Sequence, residues 1–257
     1  MNTLRNKLQA KEKLFGSIVS LSDPCLCEIM GRVGFDCVWI DMEHTHISYR
    51  DTLCHLNGAR AAGIPAVVRL PQTDPTATKK ILDMGPEGII FPMVRSKREL
   101  DEVIDMVLYP PLGSRGFGPI RAIGYGAEDA KEYVDKKNLE MLRFVQIEHI
   151  GIIEELEEIV KNPYVDGFVF GPNDLSASLG EFLSVFGDKT VSKIKEALET
   201  LRRAGKITIL AGGANEKDIE FWSNMGFDMI FAGADWCFVY SAGRSTLEAM
   251  KKFAPKN

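Results

Sequence analysis

The sequence predicts an α/β fold, a single (β/α)8 TIM barrel with an N-terminal helix. Three observations carry this. Eight short apolar, β-branched runs recur along the 257 residues, helix-period segments lie between most of them, and charged residues follow several of the runs at the same end.

The chain opens with Met1 to Lys13, where charges are dispersed among Leu4, Leu8 and Leu14; this reads as a short amphipathic helix. It lacks the uninterrupted apolar stretch and small-residue cleavage site of a secretory signal. No apolar run approaches the roughly 20 residues of a membrane span. A cytoplasmic protein with no membrane partner is therefore expected.

The expected strands are Leu14–Ser20, Phe35–Met42, Ile64–Leu70, Gly88–Val94, Met141–Glu148, Val165–Gly171, Ile207–Gly213 and Asp228–Gly233. Continuous apolar stretches such as Phe168-Val169-Phe170 suit parallel strands covered on both faces. Ser96 to Leu108 reads as a helix with a capping box formed by Ser96 and Glu99. Ile152 to Val160 and Val191 to Ala204 show three-to-four-residue apolar spacing, the second closed by Gly205. An open doubly wound sheet is the alternative. The dinucleotide-binding version is weakened because no G-x-G-x-x-G follows the first strand. Tyr109 to Asn138 breaks the rhythm as a long Gly- and Pro-rich connection. Its core at 110–119 is expected either to approach a ligand or to be a rigid structural link. No linker or low-complexity segment divides the chain, so residues 1–257 form one domain.

Hydrophobic residues at 45% and charged residues at 26% are ordinary for a globular protein with a sizeable core. A net charge of −5 disfavours a nucleic-acid surface, which needs clustered Lys and Arg. It leaves room for an acidic small molecule held by one well-placed Arg. The five cysteines, Cys25, Cys27, Cys37, Cys54 and Cys237, have no zinc-like spacing and read as reduced structural thiols.

The polar residues at the strand ends carry the chemistry. In a barrel the C-terminal ends of the strands face one mouth, where catalytic groups gather. Here the second strand runs into Asp41-Met42-Glu43-His44, the third into Arg69, the fifth into Gln146-Ile147-Glu148 and the sixth into Gly171-Pro172-Asn173-Asp174. Glu148 and Asp174 offer two carboxylates from adjacent strands, which suits Mg²⁺, Mn²⁺ or another octahedral ion better than zinc. An ion held so sparsely keeps positions free for a chelating 2-oxo acid and polarises its ketone. Arg69 would stabilise the oxygen that becomes negative, and the backbone at Gly171 and Pro172 would receive a carboxylate. His44 is the acid–base candidate, with Asp41 placed to orient its imidazole. Each residue alone has a plainer reading: Asp174 as a helix cap, Arg69 as a structural ion pair. His46 and His55 are expected at the surface. His149 is expected to point to the other face of its strand. No lysine sits at a strand end: Lys79 and Lys80 lie in a helix, and Lys206 lies at the opposite mouth. That disfavours Schiff-base chemistry.

Ile40-Asp41-Met42-Glu43-His44, Val67-Val68-Arg69, Pro110 to Gly116, Val145-Gln146-Ile147-Glu148 and Gly171 to Ser176 resemble, in order and spacing, the HpcH/HpaI aldolases. That group of class II pyruvate aldolases includes 2,4-dihydroxyhept-2-ene-1,7-dioate and 2-dehydro-3-deoxyglucarate aldolases. The resemblance covers nearly the whole chain. It implies that Glu148 and Asp174 bind a divalent metal (Mg²⁺, Mn²⁺ or Co²⁺) and that Arg69 stabilises the enolate. It further implies that His44, supported by Asp41, transfers protons by way of water at the metal. Gln146 and Gly171–Asn173 would contact pyruvate, and Asp83 would brace the Asp41–His44 pair. The resemblance also implies a homo-hexamer built as a trimer of dimers. Departures occur at Thr45, at Asn173 and in 116–122, the last closer to macrophomate-synthase-like proteins; all are expected where the aldehyde partner sits.

The function expected is thus reversible retro-aldol cleavage of a 4-hydroxy-2-oxo acid to pyruvate and an aldehyde. The alternatives are a decarboxylase or synthase using the same enolate, or a non-catalytic barrel that binds a metal or a small acid. A CoA-dependent lyase is disfavoured because no basic cluster announces a CoA surface.

Overall fold

The computed structural model describes residues 4–10 and 12–253. Its strands are β1 (Leu14–Val19), β2 (Cys37–Asp41), β3 (Ala66–Arg69), β4 (Gly88–Phe91), β5 (Leu142–Ile147), β6 (Gly167–Phe170), β7 (Ile207–Gly212) and β8 (Met229–Ala234). They close in sequence order into a barrel, with the registered pairs parallel throughout. Each lies within one of the eight expected runs, apart from the last residue of β8.

Period-two alternation decides what enters the barrel. Leu14, Cys37, Trp39, Val67, Ile90, Leu142, Phe144, Val169, Ile209, Met229 and Phe231 pack together inside. Leu4 of α1 (Leu4–Gln9) plugs the lower mouth as part of this cluster. The alternate set, including Val38, Ile40, Val68, Ile89, Val145, Phe168 and Leu210, faces the helices in a second, larger core.

Those helices are α2 (Cys25–Val33), α3 (Tyr49–Ala62), α4 (Pro75–Met84), α5 (Lys97–Asp105), α6 (Ala130–Glu140), α7 (Ile150–Glu154), α8 (Leu156–Ile159), α9 (Pro172–Ser178), α10 (Asp188–Arg203), α11 (Glu216–Ser223) and α12 (Asp235–Lys252). Their starts are chemically marked. Ser48 and Asp51 form a reciprocal capping box on α3, and Asp74 caps α4 ahead of Pro75 at its first position.

Several local expectations are corrected. Ser96 does cap α5, but Glu99 accepts from the Arg95 N–H at 2.8 Å instead of closing a box with Ser96. The helix expected over Ile152–Val160 is two short ones, α7 and α8, meeting at Glu155. The long connection holds a 3₁₀ turn at Gly124–Gly126 and α6, whose polar sequence shows almost no apolar period. Its 110–119 core does not line the cavity at the upper mouth; Gly113 is pressed against the carbonyls of Asp105 and Leu108, as in a rigid link. In 116–122, Arg121 bonds the Met84 carbonyl at the C-terminus of α4, on the lower side, so this segment is not where an aldehyde would sit within the chain. His55 is fully buried within α3, its Nδ1 3.5 Å from Cys27 Sγ, and is not a surface residue.

α12 departs from the regular barrel pattern. Asp235 anchors its start by accepting the Ser20 and Leu21 N–H groups, each at 2.9 Å. Beyond it the helix stands clear, exposing Trp236, Val239, Tyr240, Leu247 and Met250. No helix among the described residues is long and apolar enough to cross a membrane.

Candidate active site

The inward alternation that fills the barrel turns polar at its upper end. On β2, Cys37 and Trp39 give way to Asp41; on β3, Val67 gives way to Arg69; on β5, Leu142 and Phe144 give way to Gln146 and then Glu148. The sheet register sets Asp41 directly beside Arg69. Two inward side chains of opposite charge are thus neighbours by construction.

Arg69 is held from three sides. Its Nε and Nη2 donate to the two Asp41 carboxylate oxygens at 2.9 and 2.6 Å, the paired geometry a guanidinium favours. Its Nη1 lies 2.9 Å from Glu43 Oε2, and its Cζ sits 5.0 Å from the Trp39 ring centroid. Trp39 in turn meets Phe231 edge-on at 5.3 Å, in space left by Gly16, where a Cβ would overlap the Phe231 ring. The guanidinium is therefore fixed before any ligand arrives.

Asp41 does not orient the His44 imidazole. Its Oδ1 accepts the backbone N–H groups of Glu43 and His44 at 3.0 and 3.4 Å, so it shapes the turn that carries His44. The imidazole lies at the cavity mouth, largely exposed, with Nε2 3.7 Å from Glu43 Oε2. Thr45 returns its hydroxyl to the Asp41 carbonyl and tightens the same turn. Within the chain, Asp83 stands apart from the Asp41–His44 turn. It lies in the last turn of α4, pairs with Arg115 Nη2 at 2.8 Å and does not line the cavity. His149 caps α7 by accepting the Gly151 N–H. His46 is exposed, as expected.

Glu148 is the electrostatic centre of the site. It is 3% exposed, and burial pushes its carboxyl up to about 7; the like charges of Glu43 and Asp174 add to this, while Arg69 and the Met93 N–H oppose it. Burial also raises Glu43, against the pull of Arg69 and His44. Gln146 Nε2 donates to Glu148 Oε1, and the Gln146 carbonyl oxygen, buried at the cavity, has no partner among the described residues. Asp174, in the first turn of α9, is solvent-facing and lines the cavity. Gly171 is needed beneath it, since a Cβ there would stand 3.0 Å from Glu148 Cγ.

Four carboxylates, Asp41, Glu43, Glu148 and Asp174, thus surround one guanidinium, an excess of negative charge that a cation would relieve. Among the described residues no three His, Cys, Asp or Glu side chains converge on one point as a ready-made cage. Glu148 and Asp174, with the unpartnered Gln146 oxygen nearby, fit a hard divalent ion that retains open positions. The site expected from the sequence omits Glu43 and Trp39. Both lie at alternate positions from Asp41, so the same inward face could have identified them.

The cavity above these groups has a volume of about 480 Å³. Trp39, Arg69, Gln146 and Gly171 to Asp174 line its inner part, with His44 at the rim.

Comparison with known proteins identifies the family. The sequence profile of the HpcH/HpaI aldolase/citrate lyase family matches residues 14–236. A hydroxypyruvate/pyruvate aldolase of Paraburkholderia phytofirmans is 31% identical, over 97% of this chain and 98% of that protein. A 4-hydroxy-2-oxo-heptane-1,7-dioate aldolase of Shigella sonnei is also 31% identical, over 91% of this chain and 89% of that protein. The crystal structure of an HpcH/HpaI aldolase from Desulfitobacterium hafniense superposes with a TM-score of 0.91 at 26% identity, covering 99% of both chains. The chain belongs to the HpcH/HpaI aldolase/citrate lyase family and is a carbon–carbon lyase.

Proposed function

We propose that the enzyme is a divalent-metal-dependent, class II aldolase that reversibly cleaves a 4-hydroxy-2-oxo acid to pyruvate and an aldehyde. The observation that carries this is the buried Glu148 carboxyl, raised to about 7 among Glu43 and Asp174 beside a fully immobilised Arg69. Such a pocket is unfavourable empty of cations and suited to a 2-oxo acid once one is bound.

Glu148 and Asp174 would hold Mg²⁺, Mn²⁺ or Co²⁺. The bound ion supplies Lewis acidity at the ketone oxygen of the oxo acid. The protein's groups do the rest. Arg69 donates to the same oxygen as it gains charge, and its fixed position means little reorganisation accompanies the reaction. Gln146 and the backbone of Gly171, Pro172 and Asn173 position the pyruvate half. Pro172 has no N–H and the Gly171 N–H donates to the Ile147 carbonyl at 3.2 Å, so the N–H groups offered to the carboxylate are those of Asn173 and Asp174. His44 takes the proton from the 4-hydroxyl. The C3–C4 bond then breaks, its electron pair enters the C2–C3 enolate, and the carbonyl of the aldehyde forms. Protonation at C3 completes pyruvate. Because similar proteins are named for hydroxypyruvate as well as pyruvate, a hydroxylated donor belongs in the same assay. Glu148→Ala is expected to abolish metal-dependent cleavage while the thermal unfolding transition persists. Full turnover in that variant would overturn the metal assignment.

Self-association, with a hexamer as the expected state, is part of this reading. It is supported by the apolar residues that α12 exposes and by an apolar groove of about 300 Å³ around Phe15, Phe35, Ile219, Ile230 and Phe238. Tyr240→Glu is expected to yield a smaller species by light scattering; an unchanged mass would remove α12 from the interface.

A further inference from the structure

Four consecutive strands of the barrel carry one connected brace on their inner faces. Phe231 of β8 stands beside Gly16 of β1 in the sheet register, and its ring occupies the space a Gly16 Cβ would need. Having crossed β1 there, it meets the Trp39 indole of β2 edge-on, with centroids 5.3 Å apart and planes at 85°. The Arg69 guanidinium of β3 lies over that indole, its Cζ 5.0 Å from the ring centroid. Trp39 and Phe231 are each 1% exposed, so the brace is built inside one barrel whatever the assembly of the chain.

No hydrogen bond holds the indole. Its Nε1 N–H is buried without an acceptor among the described residues, a cost that proteins seldom retain without a use. The orientation of the ring therefore rests on packing, and packing joins Phe231 to Arg69. What the ring adds at Arg69 follows from the shape of the Asp41 contact. Asp41 takes Nε and Nη2 as a planar fork, and a fork is also a hinge. The guanidinium can tilt about that edge with both bonds kept, and Nη1, the nitrogen the fork leaves out, would travel furthest. Glu43 attracts Nη1 from 2.9 Å, while the indole bears on the flat face and opposes the tilt.

We propose that Trp39 is a positioning residue for catalysis. Acting through Arg69, and itself aligned by Phe231, it fixes the guanidinium where negative charge develops on the oxo-acid oxygen. This rests on the aldolase reading of the same site. The competing account is that Trp39 only fills the barrel core, to which it belongs. The two accounts differ in what a substitution moves. Core filling moves stability alone. Positioning moves kcat and spares metal affinity, because the ring bears on Arg69 whereas Glu148 and Asp174 would hold the ion.

The test follows deuterium exchange into pyruvate by the Mn²⁺-loaded protein in D₂O, giving kcat and KM, beside calorimetric titration of Mn²⁺ itself. Trp39→Leu should lower kcat about tenfold or more, with KM and the Kd for Mn²⁺ within about threefold of the unmodified enzyme. Trp39→Phe keeps an aromatic face, removes the orphaned N–H and should recover most of that loss. Phe231→Leu frees the edge of the indole and should lower kcat about threefold in the same pattern. An unchanged kcat in a Trp39→Leu protein that unfolds cooperatively would overturn the proposal. So would a loss of Mn²⁺ affinity as large as the loss of kcat, or a Trp39→Phe variant no more active than Trp39→Leu. Should Trp39→Leu not fold, Phe231→Leu decides, and full kcat in that variant would overturn the proposal. Absent exchange in the unmodified enzyme removes the aldolase reading and this proposal with it. Exchange that Trp39→Leu matches removes only the positioning role.

Discussion

Replacing Glu148 by Gln should stabilise the metal-free protein at alkaline pH while destroying metal binding. The Glu148 carboxyl is pushed from an ordinary 4.5 up to about 7 by burial and by the neighbouring charges of Glu43 and Asp174. Each unit corresponds to about 1.4 kcal/mol, so the ionised side chain costs the metal-free fold about 3 kcal/mol above pH 7. The sign follows from proton counting. Between pH 4.5 and 7 the folded state binds more protons than the unfolded chain, so stability falls as pH rises through that window and levels off above it. The amide of the Glu148→Gln variant would carry no charge. It would lose one of two acceptor roles, since Gln146 Nε2 and the Met93 N–H both donate to Glu148, and that loss costs about 1 kcal/mol. The net expectation at pH 8 is a gain of about 2 kcal/mol, or roughly 4–8 °C in Tm for a domain of this size. At pH 5 the gain should vanish or reverse. Differential scanning calorimetry of EDTA-treated protein at both pH values reads this directly. Added Mn²⁺ should then raise Tm of the unmodified protein and leave that of Glu148→Gln nearly unchanged. A variant destabilised equally at pH 5 and pH 8 would refute the reasoning, because Glu148 would then be a structural hydrogen-bond acceptor and not a strained charge.

Three other substitutions test the support around it. Arg69→Lys keeps the charge but cannot span both Asp41 oxygens, so kcat should fall about 100-fold or more with a smaller change in KM, measured in steady-state cleavage assays. Gly171→Ala places a Cβ 3.0 Å from Glu148 Cγ and should weaken metal affinity about tenfold by calorimetric titration, with a modest effect on Tm. Trp39→Leu removes the surface beneath Arg69 and the edge contact with Phe231, and should cost about 2–4 kcal/mol in denaturant unfolding.

The barrel is legible in the sequence because its rules are local. Alternate residues of β2, β3 and β5 go from apolar to polar at one end, which reveals both the strands and the mouth they open into. What escapes the sequence depends on other periods or on distant partners. His55 stands with Thr52, Leu56 and Ala59 at helical spacing on the buried face of α3, so the 3.6-residue period could have placed it inside. α6 carries no such period and could not be recognised by it. The family resemblance ties Asp83 to the Asp41–His44 pair, whereas Arg115, 32 residues away along the chain, takes its carboxylate. Asp218, in the cavity wall, has no signal at all. Its place there depends on how α11 packs over the two glycines that end β7, and that is a property of the folded chain.

The central claim is that Glu148 and Asp174 support metal-assisted enolate formation on pyruvate. It is tested most directly by incubating the protein with pyruvate and Mg²⁺ or Mn²⁺ in D₂O and following the methyl proton signal by NMR. The account predicts loss of that signal at a rate proportional to enzyme, abolished by EDTA and by Glu148→Ala. Exchange that persists undiminished in both controls would contradict it.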